Sequence, residues 1–214
     1  AGNTYQWLNN GAIIAGANAN NIFATASGIY SVAISNGLCS DTSRTIGVIV
    51  NPLPDTTLTV SGPATFCTGD SVELSVPTGN TYQWLSNGTA IAGANGNSFF
   101  ATATGNYSVA IGGATCADTS RIVSVTVNPL PDTALTVTGA TDFCAGDSVQ
   151  LSVPAGNTYQ WLNNGAAITG AVNSSIFATT SGTYSVAISN GLCSDTSRTI
   201  GVTVNPLPDT ALAV

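Results

Sequence analysis

"GNTYQWL" stands at residues 2–8, again at 79–85 and again at 156–162. Its tryptophans, Trp7, Trp84 and Trp161, follow one another at intervals of 77 residues. Read as an extended segment, the phrase sets tyrosine and tryptophan on one face and glutamine on the other, which is the alternation of a half-buried strand. Segments of the same kind surround it in the middle copy: "SVELSV" (71–76), "SFFAT" (98–102), "YSVAI" (107–111) and "IVSVTV" (122–127), with a further strand at "LTV" (58–60). Glycine-rich turns such as "SNGT", "GANGN" and "IGGAT" separate them. Six or seven short strands in one 77-residue period predict an all-β antiparallel sandwich.

The period holds without insertion. Tyr30, Tyr107 and Tyr184 keep it, as do Cys39, Cys116 and Cys193, and "NPLPDT" closes each unit at 51–56, 128–133 and 205–210. Internal repetition of this strictness marks a tandem array. It predicts a partial repeat over 1–54 that lacks its first two strands, complete repeats over 55–131 and 132–208, and the start of another over 209–214. Residues 1–60 and 155–214 differ at only eleven positions, whereas the middle copy departs further, an order of A-B-A. A chain that opens and closes inside repeats reads as an excerpt of a longer array. The other reading is a natural terminus whose open sheet takes strands from a neighbouring subunit.

Composition removes several classes of function. Charged residues make up 6% of the chain, against roughly 25% in ordinary globular proteins, so Thr, Ser and Asn must supply the wet faces. The net charge of −7, with three Arg and no Lys, opposes binding to nucleic acid and to anionic membrane surfaces. No apolar run approaches the ~20 residues of a membrane span, so membrane insertion is not expected. Without histidine there is no Ser-His-Asp triad and no histidine metal site; no catalytic residue and no cofactor are expected.

The cysteines are expected to staple each repeat internally, as Cys67–Cys116 and Cys144–Cys193, both pairs 49 residues apart. Closing such a loop contributes about 4 kcal/mol by loop entropy. Free buried thiols are the competing reading. Cys39 would then have its partner outside the chain. Disulfides imply an oxidising, extracellular location.

Trp7, Trp84 and Trp161, with Tyr30, Tyr107 and Tyr184, are the expected core anchors. The tryptophan falls where immunoglobulin-like domains bury one, and "TGNY" and "SGTY" resemble a tyrosine corner. The cysteines depart from that pattern, because Val109 stands where antibody domains carry their second cysteine. Recurring Asp residues read first as turn formers. Calcium at the junctions, through Asp55 and Asp132, is a second reading, though no acidic pair is visible and no metal site is assigned. Arg44, Arg121 and Arg198 read as local partners of the "DTS" aspartates or as contacts across a junction. Residues 18–21 and 172–175 differ between otherwise close copies, which suits an unconstrained exposed loop or a ligand-reading one.

Taken together, "FCxGDSVxLSV", "YQWLxNGxAIxGA", "FATxSGxYSVAI" and "VTVNPLP" resemble the Ig-like tandem repeats of large secreted and surface proteins of Bacteroidota. That resemblance implies export by the type IX system, an adhesin or gliding-associated setting, and arrays that act as stalks. The Asp-Ser/Thr segments are similar to the O-glycan sequon of the same bacteria, with acceptors at Thr56, Ser71, Thr133, Ser148 and Thr210. Two prolines in four linker residues restrict the joint, so the leading expectation is an extracellular stalk or filament. Its partners would be neighbouring repeats of the same chain, with lateral association into fibres. The alternative is a multivalent glycan- or protein-binding adhesin module.

Overall fold

The structure, a computed structural model, describes residues 2–209. It is all-β, with no helix among those residues, and its sheets build tandem immunoglobulin-like sandwiches. The third repeat displays the plan most fully. Thr136–Thr138, Val149–Ser152 and Ser175–Ala178 make one three-stranded antiparallel sheet. The other runs in the order Asp142–Cys144, Ile200–Asn205, Gly182–Ser189, Thr158–Asn163 and Ala166–Ala167, and Ser194–Thr196 also pairs with Gly182–Ser189. Its first pair is parallel, with Cys144 opposite Asn205.

The core lies between these two sheets. Val149, Leu151 and Val153 alternate inward from one, and Trp161, Tyr184, Val186, Ile188 and Val202 from the other. Trp161 is fully buried, and full burial of a side chain that large is among the strongest apolar contributions a small sandwich has. The middle repeat follows the same plan, with Val72, Leu74 and Trp84 buried. Phe99 stacks on Trp84 at a 5.7 Å centroid separation and meets Tyr107 at the same distance.

"GNTYQWL" earns its recurrence by local bonding. In the middle copy the Trp84 N–H donates to the Ala94 carbonyl, the Ile91 N–H donates to the Trp84 carbonyl, and Gln83 Nε2 donates to the Ile91 carbonyl at 2.8 Å. The indole Nε1–H donates to the Gly96 carbonyl at 2.9 Å. The "NG" turn that follows needs left-handed backbone: Asn87 has φ 50° and Gly88 φ 79°, a pair that this two-residue hairpin favours. The tyrosine corner forms in every copy. Tyr30, Tyr107 and Tyr184 donate to the carbonyls of Ala26, Ala103 and Thr180 at 2.8, 2.9 and 3.0 Å.

The first repeat consists of one sheet. Ala12–Ile13, Thr4–Asn9, Gly28–Ser35 and Ser40–Thr42 pair in that order, with Ile46–Val48 also on Gly28–Ser35. Tyr30 is buried, but Trp7 is only half-buried, so the expectation of three equivalent core tryptophans fails at this position. No second sheet covers its face among the described residues of the repeat.

The described residues divide into two compact units, 2–55 with 111–118, and 56–110 with 119–209. Both complete repeats fall in the second unit, apart from the segment 111–118, which groups with the first repeat. Of the expected terminal segment 209–214, only Asp209 is among the described residues.

Candidate functional site

The second unit contains a covalent junction. Cys67 and Cys193 form a disulfide, with Cα atoms 5.9 Å apart and 126 residues between them in sequence. The expected pairs Cys67–Cys116 and Cys144–Cys193 are therefore not formed; Cys39, Cys116 and Cys144 are free thiols. Strand register gives the reason. In the third repeat Cys144 lies opposite Asn205, at the far end of the Ile200–Asn205 strand, whereas Cys193 sits in the turn before Ser194–Thr196, at the opposite end of the shared partner strand Gly182–Ser189. Along the shared partner strand, Ser194 faces Ser189 and Val202 faces Gly182, so the two positions stand at least seven residues apart at about 3.3 Å each, far beyond the ~7 Å Cα limit of a disulfide. Cys67 is likewise opposite Asn128. A cysteine at that end meets the turn of the next repeat, not the turn of its own.

Polar contacts surround the bond. Asn190 Nδ2 donates to the Pro129 carbonyl in the "NPLP" linker at 3.0 Å. The Thr68 N–H and Oγ1 both donate to the Asn128 carbonyl, at 2.9 and 3.1 Å. Cys193 Sγ lies 3.8 Å from that same oxygen, and Cys193 is 3% exposed. Asn190 escaped the sequence reading because an Asn in an "SNG" turn looks like an ordinary turn former. Its Oδ1 does cap the Leu192 and Cys193 N–H groups as such residues do.

Two of the arginines reach backbone carbonyls far away in sequence but within their own repeat. Arg121 and Arg198 donate through Nη2 to the carbonyls of Leu58 and Leu135, each at 3.0 Å, and so tie the two sheets of one repeat together. The serine before each of these two, Ser120 and Ser197, is buried and bonds the backbone on both sides: Ser197 Oγ accepts from the Val186 N–H and donates to the Arg198 carbonyl. The constancy of "DTSR" was the legible signal for this device. Asp132 Oδ1 accepts from the Ala134 N–H, an Asx turn at the linker. No group of three metal-ligating side chains comes together among the described residues.

The loop that varies between copies borders an open groove. In the third repeat Asn173, Ile176, Phe177 and Thr180 line it, and Phe177 is 66% exposed. Phe100 holds the same place beside Asn95–Ser98 in the middle repeat. The indole–carbonyl bond to Asn173 fixes the loop at its base. Of the O-glycan candidates, Ser71 and Ser148 are exposed, Thr56 and Thr133 are half-buried, and Thr210 lies outside the described residues.

Comparison with known proteins adds a short match. Residues 99–115 resemble the YadA head domain repeat (2 copies). Those residues run from the Ser98–Ala101 strand through Gly105–Gly112 into the turn that carries Cys116. Among solved structures, murine CEACAM1b is similar to the chain at 19% identity and a TM-score of 0.32, over 70% of this chain and 100% of that one. No curated protein matches.

Proposed function

We propose that the chain is a structural element of an extracellular surface array, in which immunoglobulin-like repeats are joined into a stalk or filament and carry no catalysis. The observation that supports this reading most directly is the Cys67–Cys193 bond, which links successive repeats rather than stapling one. A disulfide between repeats resists bending and pulling at the joint, and it belongs to an oxidising compartment. Asn190 on the linker carbonyl adds a directional contact to the same joint. The match to an adhesin head repeat is in keeping with a surface setting, and the resemblance of the repeat motifs to Bacteroidota arrays points to type IX export.

Single-molecule pulling on the whole chain tests the mechanical role. With the bond intact, the 126-residue separation is withheld from extension, roughly 420–450 Å at 3.3–3.6 Å per residue. Reduction should release that length. Equal extension before and after reduction would remove the support for a load-carrying junction.

A second reading is favoured by one feature. The exposed Phe100 and Phe177, each beside a variable loop, could stack on a sugar ring, and recurrence would add avidity. Glycan-array binding that is lost in Phe177→Ala would establish it. Glycans on Thr56, Thr133 and Thr210 would stiffen the linkers, and intact-mass measurement of the native protein detects them.

A further inference from the structure

In both complete repeats a three-residue segment ending in cysteine adds in parallel to the last strand of the sandwich. Thr65, Phe66 and Cys67 lie opposite Thr126, Val127 and Asn128, and Asp142, Phe143 and Cys144 lie opposite Thr203, Val204 and Asn205. The bonding is the same each time. The Thr126 N–H donates to the Ala64 carbonyl and the Thr68 N–H to the Asn128 carbonyl, at 2.8 and 2.9 Å. The Thr203 N–H donates to the Thr141 carbonyl and the Ala145 N–H to the Asn205 carbonyl, both at 2.8 Å.

The first unit carries the receiving half of this arrangement. Its equivalent residues are Ile49, Val50 and Asn51, and the preceding strand ends at Val48. Ile49 is 81% exposed and Val50 47%. The segment is nonetheless held as in the complete repeats. The Val50 N–H donates to Ser27 Oγ at 2.8 Å, the bond that Val127 makes to Thr104 Oγ1 and Val204 to Ser181 Oγ at the same length.

A thiol stands at the end of that edge. Cys116 Sγ lies 3.7 Å from the Asn51 carbonyl oxygen, as Cys193 Sγ lies 3.8 Å from that of Asn128. Cys193 is bonded to the cysteine opposite Asn128, whereas Cys116 is free and half-buried. The strand edge pre-aligned by Ser27 and the thiol at its last residue point to the same occupant, because in the complete repeats one segment fills both roles.

We propose that Ile49–Asn51 and Cys116 form a docking site for an extended Phe-Cys segment of this repeat class, taken up by parallel strand addition and locked by a disulfide to Cys116. The recognition is main-chain pairing along the edge, with specificity from the phenylalanine and cysteine positions. The occupant is a segment like residues 63–70 that is not already paired in its own sandwich. Joining two thiols this way consumes one organic disulfide and releases two thiols, by two successive exchanges. The site does not depend on whether the array serves as a stalk.

The test uses the whole chain and the peptide Pro-Ala-Thr-Phe-Cys-Thr-Gly-Asp, capped at both ends and activated as its 2-pyridyl disulfide. The Cys116 thiolate attacks the peptide sulfur, a new S–S bond forms, and 2-thiopyridone leaves with the electron pair of the broken bond. Labelling at Cys39, Cys116 and Cys144 is mapped by mass spectrometry and compared with a scrambled peptide. The expected preference for the native order is about tenfold at Cys116, equivalent to about 1.4 kcal/mol, and none at Cys39 or Cys144. A native peptide N-methylated at the threonine after cysteine loses the N–H that would bond the Asn51 carbonyl, and should lose the preference. Equal labelling by native and scrambled peptides at Cys116 would overturn the proposal, as would a preference that survives N-methylation.

Discussion

The first and third repeats are nearly the same sequence in two different situations. Over residues 1–60 and 155–214 they differ at eleven positions, yet Trp161 is fully buried and Trp7 is half-buried. Every local bond of the tryptophan survives in both. Trp7 Nε1 donates to the Ala19 carbonyl and Trp161 Nε1 to that of Asn173, at 3.0 and 2.9 Å. Gln6 and Gln160 reach the carbonyls of Ile14 and Ile168, both at 2.9 Å. What differs is the opposing sheet. Phe23 is 94% exposed where Phe177 is 66%, and residues 21–25 form no strand because, among the described residues, no strand equivalent to Val149–Ser152 pairs with them. Strand geometry within one sheet is therefore a local property of these sequences, while burial is a property of two sheets.

Four paired substitutions probe that difference. The largest effect is expected at the cysteines. Cys193→Ser opens a loop of 126 residues and should lower the stability of the second unit by about 5 kcal/mol on loop entropy. Cys39→Ser, at an exposed free thiol, should stay within about 0.5 kcal/mol. Urea unfolding under non-reducing conditions measures both, and non-reducing peptide mapping should recover Cys67 joined to Cys193.

Next come the tryptophans. Trp161→Ala removes a fully buried ring and should cost about 3–5 kcal/mol, against about 1 kcal/mol or less for Trp7→Ala. Hydrogen exchange read separately in each repeat gives the two values. Equal losses would show that the two tryptophans are equally supported, contrary to their burial.

The arginines should differ more modestly. Arg198→Met breaks the bond to the Leu135 carbonyl, worth about 1 kcal/mol. Arg44→Met should be near neutral, since no strand like Thr136–Thr138 stands among the described residues of its repeat. The tyrosine corners should not differ at all. Tyr30→Phe and Tyr184→Phe each remove a bond to a carbonyl four residues back and should each cost about 1 kcal/mol. A clear inequality there would mean that the corner depends on the opposing sheet.

Much of the fold was legible in the residues. The two-residue alternation of "SVELSV" and "YSVAI" placed strands at Val72–Ser75 and Gly105–Gly112, because a pleated chain sends neighbouring side chains to opposite faces. The corner tyrosines were legible for the same kind of reason: donor and acceptor lie four residues apart. The junction was not. The within-repeat pairs Cys67–Cys116 and Cys144–Cys193 satisfied spacing and loop entropy, but neither quantity records which end of a sandwich a residue occupies. Arg198 was likewise read with its nearest acid or across a junction, when its partner is a carbonyl 63 residues away in its own repeat.

By itself, then, the sequence determined the period, the strand alternation, the hairpin turns and the corner in each copy. All of these arise from backbone sterics and from bonds between residues close in the chain. Only the tertiary structure decided which cysteines meet and which tryptophans are buried. Parallel addition of Thr65–Cys67 sends Cys67 to the end of the strand that faces the next repeat, and an indole leaves water only where a second sheet closes over it.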